Sequence, residues 1–314
     1  MPGTSWSRAG LKNERILTMT QTSPFCAAAD ASPKTPRLAL PPGSCDCHAH
    51  VFGPASQYPY IDNRTYTPPD ATLENYLQLH RRIGIERGVL VQPSVYGTDN
   101  RLHMEALSAI RRAGLDYRGV CVVAPDVAET ELDRLDRSGF CGVRMNLLFQ
   151  GGIDWADVTA LAVRIADRGW HLQFLINVAE SVDILEQIPQ LPVPVVIDHM
   201  GHMNCDLGLH NEGFQTLLTL LRKNLVWVKL SGSYRISQEG APPYTDVVPF
   251  ARALVNANPE RCIWGSDWPH PHFPGEMPND GDLVDLISEW VPDSEQSNAV
   301  LVRNPARLYG FKLP

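Results

Sequence analysis

From position 44 onward, short apolar runs alternate with segments whose apolar residues recur every three to four positions, the pattern of strands followed by helices. The spacing predicts strands at 44–51, 88–92, 119–123, 141–146, 170–175, 193–198, 226–231 and 261–267. Between them it predicts helices near 72–83, 100–113, 129–138, 154–168, 180–189, 212–223 and 245–257, with two more closing the chain. Thr72 and Gly84 punctuate the first helix as N-cap and stop. Strands apolar on both faces belong to a parallel sheet covered by helices. Eight strand–helix units crossing over right-handed close into a distorted (β/α)8 TIM barrel. The alternative, an open doubly wound sheet, would carry a Gly-rich phosphate turn after the first strand, where this chain has His50-Val51-Phe52-Gly53-Pro54.

The first 43 residues break the pattern. They are rich in Ser, Thr, Pro and Ala, a composition that predicts a disordered arm over 1–43 ahead of one barrel domain over 44–314. They lack the apolar stretch of a secretory signal, and Met19 is an alternative start to Met1. Apolar residues make up 44% of the 314, ample for one large core, yet no run reaches the roughly 18 residues that span a membrane. A formal charge of −8 leaves no basic surplus for phosphates, which excludes a nucleic-acid partner; an anionic small molecule answers to local arginines instead. The seven cysteines sit mostly in apolar runs and read as buried thiols of a cytoplasmic protein. A monomer or a small homo-oligomer is expected.

Chemistry enters at Cys45-Asp46-Cys47-His48-Ala49-His50. Strand alternation aims His48 and His50 into one space and Ala49 away from it, an arrangement suited to a metal or an anionic substrate. In a barrel, functional groups sit at the carboxyl ends of strands. Collected by that rule, strand 2 supplies Gln92 with Ser94 beyond it, and strand 4 supplies Arg144 and Asn146. Strand 6 supplies His199, strand 7 Ser231 with Tyr234 and Arg235 beyond it, and strand 8 Asp267 with His270 behind it. The long loop 55–70 carries Tyr58, Tyr60, Arg64 and Tyr66, aromatic rings and an arginine that suit a flat anionic ligand. His80, His103 and His210 fall in helices or loops and read as solvated, and Glu74, Glu105 and Glu131 as helix surface.

Three stretches, Cys-His-Ala-His-Val-Phe-Gly-Pro at 47–54, Val-Ile-Asp-His-Met-Gly at 196–201 and Trp-Gly-Ser-Asp-Trp-Pro-His at 264–270, together resemble the amidohydrolase superfamily. The nearer likeness is to its branch typified by 2-pyrone-4,6-dicarboxylate lactonase, and it covers about 45–310. The resemblance implies an active site made of His48, His50, His199 and Asp267, and a substrate contact at Tyr66. Binuclear members use a Lys or Glu after strand 4 and a His ending strand 5; here strand 4 ends in Arg144 and His171 lies near the start of strand 5, so a two-metal site is not expected. A single Zn2+ on His48, His50, His199 and Asp267, or no metal at all as in the pyrone lactonase branch, both stay open. Where that branch has a second arginine six residues after Gly-Val-Arg, this chain has Gln150, which points to fewer or differently placed acidic groups on the substrate.

The expected reaction is hydrolysis of a small carboxylated lactone such as 2-pyrone-4,6-dicarboxylate, a muconolactone or a sulfomuconolactone from aromatic-compound degradation. Asp267 would take the proton of the attacking water, and the histidines would stabilise the oxyanion. Arg144 and Arg235 would clamp carboxylates, with Gln92 and Asn146 as further substrate contacts. Three alternatives remain open: a metal-dependent non-oxidative decarboxylase of the same superfamily, a sugar-acid lactonase, and a non-catalytic binding protein reusing the barrel.

Overall fold

Every predicted strand is present in the computed structural model, which describes residues 23–148 and 155–313. They are β1 (Cys45–Ala49), β2 (Arg87–Val91), β3 (Asp116–Cys121), β4 (Phe140–Asn146), β5 (His171–Leu175), β6 (Val195–Ile197), β7 (Val226–Leu230) and β8 (Cys262–Trp264). All pair in parallel and in sequence order. The ring closes between β8 and β1, where the His50 N–H donates to Trp268 O (2.8 Å) and the Asp267 N–H to His48 O (2.8 Å). The same two bonds set Asp267 beside the β1 histidines.

Helices wrap the barrel for the reasons the pattern gave. α1 (Leu73–Ile83) buries Tyr76, Leu79, His80 and Ile83; Thr72 and Asn75 form a capping box, and Gly84 ends the helix at φ 84°, a left-handed position that favours glycine. α2 (Arg101–Arg112), α3 (Glu129–Ser138), α4 (Trp155–Ala166), α5 (Val182–Gln187) and α6 (Glu212–Arg222) follow β2 to β6 in turn. After β7 come the short α7 (Ser233–Ile236) and α8 (Val248–Ala257), and several short helices between Asp280 and Tyr309, not two, cover the end of the chain.

Two apolar layers result. Ala49, Leu90, Val143, Leu172, Phe174 and Val228 belong to the large cluster between strands and helices. Cys45, Cys47, Val89, Val91, Val120, Val196, Trp227 and Ile263 fill the barrel, floored by Tyr309 and Phe311. The cysteines are free thiols, all buried or half-buried.

β1 is not a regular strand. Its pairing with β2 gains a residue between Asp46 and Ala49, a bulge that re-aims side chains. Cys47 and His48, adjacent in sequence, therefore both face the interior, while Asp46 is turned out to Tyr76 (3.0 Å) and His80 (3.4 Å) of α1.

Residues 23–43 correct the expected arm. They lie in extended form against the barrel: Cys26 N–H donates to Thr67 O (2.9 Å), Lys34 N–H to Asn279 Oδ1 (2.9 Å), and Arg37 pairs with Asp285 (2.9 Å). Backbone amides satisfied by side chains hold what composition alone leaves free. Residues 1–22 and Gln150 lie outside the described residues. Among the described residues no helix is long and apolar enough to cross a membrane.

Candidate active site

The carboxyl ends of the strands open on a cavity of about 560 Å3. His50, His199, Asp267, Arg144, Arg235, Tyr66 and Asn146 line it, joined by Ser94, Asn177, Glu180, His202, Asn204 and His272. His48 is fully buried just beneath. Gln92 is not there: its amide donates to Asp99 O (2.8 Å) and pins the loop after β2, and Ser94 takes the place facing the cavity. Of the loop residues only Tyr66 reaches it, stacked on His272 at 5.2 Å. Tyr58 bonds Glu105 (2.6 Å), Tyr60 reaches Pro68 O (3.3 Å), and Arg64 caps Ile61 O (3.0 Å). His80 and His103, expected in solvent, are buried in the helical layer.

The centre is Asp267. Its Oδ2 accepts from Tyr234 Oη (2.6 Å) and Arg235 Nε (2.6 Å). Its Oδ1 has no hydrogen-bond partner among the described residues and lies 3.7 Å from His48 Nε2, 3.7 Å from His50 Nε2 and 3.9 Å from His199 Nε2. Burial alone would raise its pKa, but the surrounding charge, the Arg235 guanidinium first, outweighs it and holds the carboxyl well below its ordinary value. Asp267 is therefore ionised. Desolvation lowers the pKa of His48 and drops those of His50 and His199 well below the usual range, so the three rings are neutral. Burial pushes the Tyr66 phenol up to about 12, keeping it a hydrogen-bond donor.

Local backbone conformation serves the cluster. His199 (φ 50°), His202 (φ 52°), Asp267 (φ 64°), His270 (φ 60°) and His272 (φ 58°) all occupy the left-handed region, strain that concentrates where function does. Two glycines make room. A Cβ on Gly232 would stand 2.9 Å from His199 Nδ1, and one on Gly265 would stand 2.7 Å from His48 Cβ.

Below the histidines lies a polar layer that the sequence reading did not assign. Lys229 is fully buried, with Nζ 2.7 Å from Gln173 Oε1, 3.4 Å from Asp198 Oδ1 and 3.2 Å from His48 Nδ1. Gln173 Nε2 donates to Asp198 Oδ2 (3.0 Å), which also lies 3.6 Å from Arg144 Nε. The signal was present: a lysine inside Val-Trp-Val-Lys-Leu and a glutamine inside His-Leu-Gln-Phe-Leu cannot be buried without partners.

Could these residues hold a cation? Each Nε2 would have to present a lone pair. His50 does, because its Nδ1 lies 2.7 Å from Val91 O and must donate to that carbonyl. His199 can, since its Nδ1 meets Ser231 Oγ at 2.9 Å, but among the described residues both donor groups compact enough to share one ion, His48–His50–Asp267 and His48–Asp198–His199, include His48. His48 is the member in question, because its Nδ1 stands 3.2 Å from both Lys229 Nζ, a donor, and Asp198 Oδ1, an acceptor.

Comparison with known proteins places the chain in a family. The amidohydrolase family profile matches residues 45–311. The chain is 40% identical to the 4-sulfomuconolactone hydrolase of Hydrogenophaga intermedia over 92% of its length and 96% of that protein's. It is 37% identical to a 2-pyrone-4,6-dicarboxylate hydrolase of Comamonas testosteroni, over 89% and 94%. An Acinetobacter baumannii protein solved with citric acid bound superposes with a TM-score of 0.75 at 29% identity, covering 86% of this chain and all of that one. With its barrel, its β1 histidine pair and the carboxylate after β8, the chain belongs to the amidohydrolase family.

Proposed function

We propose that this protein hydrolyses a small carboxylated lactone. The observation that carries the reading is the Oδ1 of an ionised Asp267, without a hydrogen-bond partner among the described residues and turned toward three neutral imidazoles, beside a cavity that also holds two guanidinium groups. Relatives that hydrolyse 4-sulfomuconolactone and 2-pyrone-4,6-dicarboxylate support the substrate class, as does the citric acid bound by a structural neighbour.

Arg144 takes a substrate carboxylate in its guanidinium fork, Asn146 and Ser94 offer further polar contacts, and Tyr66 closes over a planar ring. Arg235 already spends its Nε on Asp267, so it steadies the base as well as facing the ligand. Water attacks the lactone carbonyl carbon while Asp267 Oδ1 accepts its proton. The carbonyl electron pair moves onto oxygen, where the N–H of one imidazole stabilises the charge; His50, with its proton held by Val91 O, is not that donor. Collapse of the tetrahedral centre breaks the ring C–O bond, and Asp267 returns the proton to the departing enol or alcohol oxygen. The product keeps every original carboxylate and gains one.

Incubating the chelated protein with 2-pyrone-4,6-dicarboxylate, sulfomuconolactone, muconolactone and sugar-acid lactones tests this. Ring opening is followed by ultraviolet absorbance or proton release. Turnover of a carboxylated or sulfonated lactone is expected; silence across the panel would overturn the reading.

A further inference from the structure

We infer that Lys229 is a positioning residue that fixes the proton of His48 on Nε2, making His48 a hydrogen-bond donor into the site and closing that nitrogen to a divalent cation. Gln173 sets the direction of the hydrogen bonds around Lys229. Its amide is oriented by both neighbours: Nε2 donates to Asp198 Oδ2 at 3.0 Å, and Oε1 accepts from Lys229 Nζ at 2.7 Å. Turned over, the amide would set its oxygen against a carboxylate and its NH2 against an ammonium. Lys229 therefore acts as a donor, with the Asp198 carboxylate 3.4 Å away to balance its charge.

An ammonium has three N–H groups and no lone pair. His48 Nδ1, 3.2 Å from Nζ, must accept from it, so the imidazole proton sits on Nε2. Asp198 Oδ1 lies as close to His48 Nδ1, at 3.2 Å, and would accept a proton from it, but the Lys229 N–H at the same distance competes for that nitrogen and needs its lone pair. From here the direction propagates. His50 Nδ1 donates to Val91 O, which leaves His50 Nε2 an acceptor, and His48 Nε2 lies 3.3 Å from it. The result is a one-way chain from Lys229 through His48 and His50 to the β2 carbonyl, and each member satisfies the next.

Two consequences follow. When a lactone carbonyl replaces His50 Nε2 as the partner of His48, the donor is already in place. A divalent cation would need the Nε2 lone pair, and moving the proton to Nδ1 would turn an N–H against the ammonium. The first consequence rests on the hydrolase reading; the tautomer does not.

The test is a multiple-bond 1H–15N correlation spectrum of the 15N-histidine-labelled, chelated wild-type protein, with His48 assigned by the signals missing in His48→Gln. Protonated Nε2 with bare Nδ1 is expected; a protonated Nδ1 would overturn the inference whatever the substrate proves to be. In Lys229→Met the proton is expected to move to Nδ1, toward Asp198. That variant should retain added Co2+ at about one per chain after dialysis, with a visible absorption band, where the wild type retains none. On a lactone substrate its kcat should fall about 100-fold, the loss typical of one oxyanion donor, with KM changed less than about threefold. An unchanged tautomer in a folded Lys229→Met would overturn the role given to Lys229.

Discussion

Asp267 works with one oxygen held and the other offered. Tyr234 and Arg235 grip Oδ2, which fixes the carboxylate plane and leaves Oδ1 without a partner among the described residues. Replacing it with Asn keeps the shape and removes the proposed base, so Asp267→Asn should lower kcat about 1,000-fold with little change in KM; steady-state kinetics on an accepted lactone checks this. Arg144 should behave in the opposite way. Losing a charge-assisted bidentate contact costs about 2 kcal/mol, so Arg144→Met should raise KM at least tenfold while kcat falls less. His48, His50, His199 and Asp267 were legible in the chain because strand ends and short spacings mark them. Lys229, Gln173 and Asp198 were not assigned, because their partners lie on different strands and only the closed barrel brings them together. Gln92 misled for a related reason: a residue at a strand end can turn outward to hold a loop.

At the scale of elements, β1 carries the site because it is irregular. Asp46 fastens the bulge: Oδ1 accepts from the His48 and Ser266 amides (3.1 and 2.8 Å), and Oδ2 from Tyr76 Oη (3.0 Å) and Ser266 Oγ (2.5 Å). One buried carboxylate thus ties β1, α1 and the loop after β8. Asp46→Ala should destabilise the fold by about 3–5 kcal/mol in urea denaturation, and a loss under about 0.5 kcal/mol would contradict this role. Alternating polarity foretold the histidine face but not the bulge, which depends on register against β2. The strands and the early helices were legible, the closing helices less so. α1 and α3 fall where Thr72, Gly84 and the charged run 129–138 put them, since caps are local. The 23–43 strap was missed because its bonds run to residues as distant as Asn279 and Asp285.

Across the whole molecule, burial makes the fold sensitive to acid. His103 and His171 are pushed down to about 3 and His202 to about 4, in each case chiefly by desolvation. Such a histidine takes up its proton near pH 6.5 when unfolded but only at lower pH when folded. Its contribution is complete above about pH 6.5 and is lost as pH falls toward the folded value. Asp198 and Asp267, lowered well below their usual value against the pull of burial, add a second loss below about pH 4. His103 isolates the first effect, because neither ring nitrogen has a partner among the described residues. His103→Leu should gain about 2 kcal/mol relative to wild type on going from pH 8 to pH 5, read from denaturation midpoints; an equal response to pH in both proteins would refute the assignment.

The central claim is that water, activated by Asp267, attacks a lactone carbonyl. Turning over the best substrate of the panel in H2(18O) and examining the product by mass spectrometry tests it most directly. The account predicts one 18O in the newly formed carboxylate, every original carboxylate retained, no CO2, and no measurable label uptake in Asp267→Asn over the same interval. Label in the product's hydroxyl or keto oxygen, release of CO2, or undiminished turnover by Asp267→Asn would contradict it.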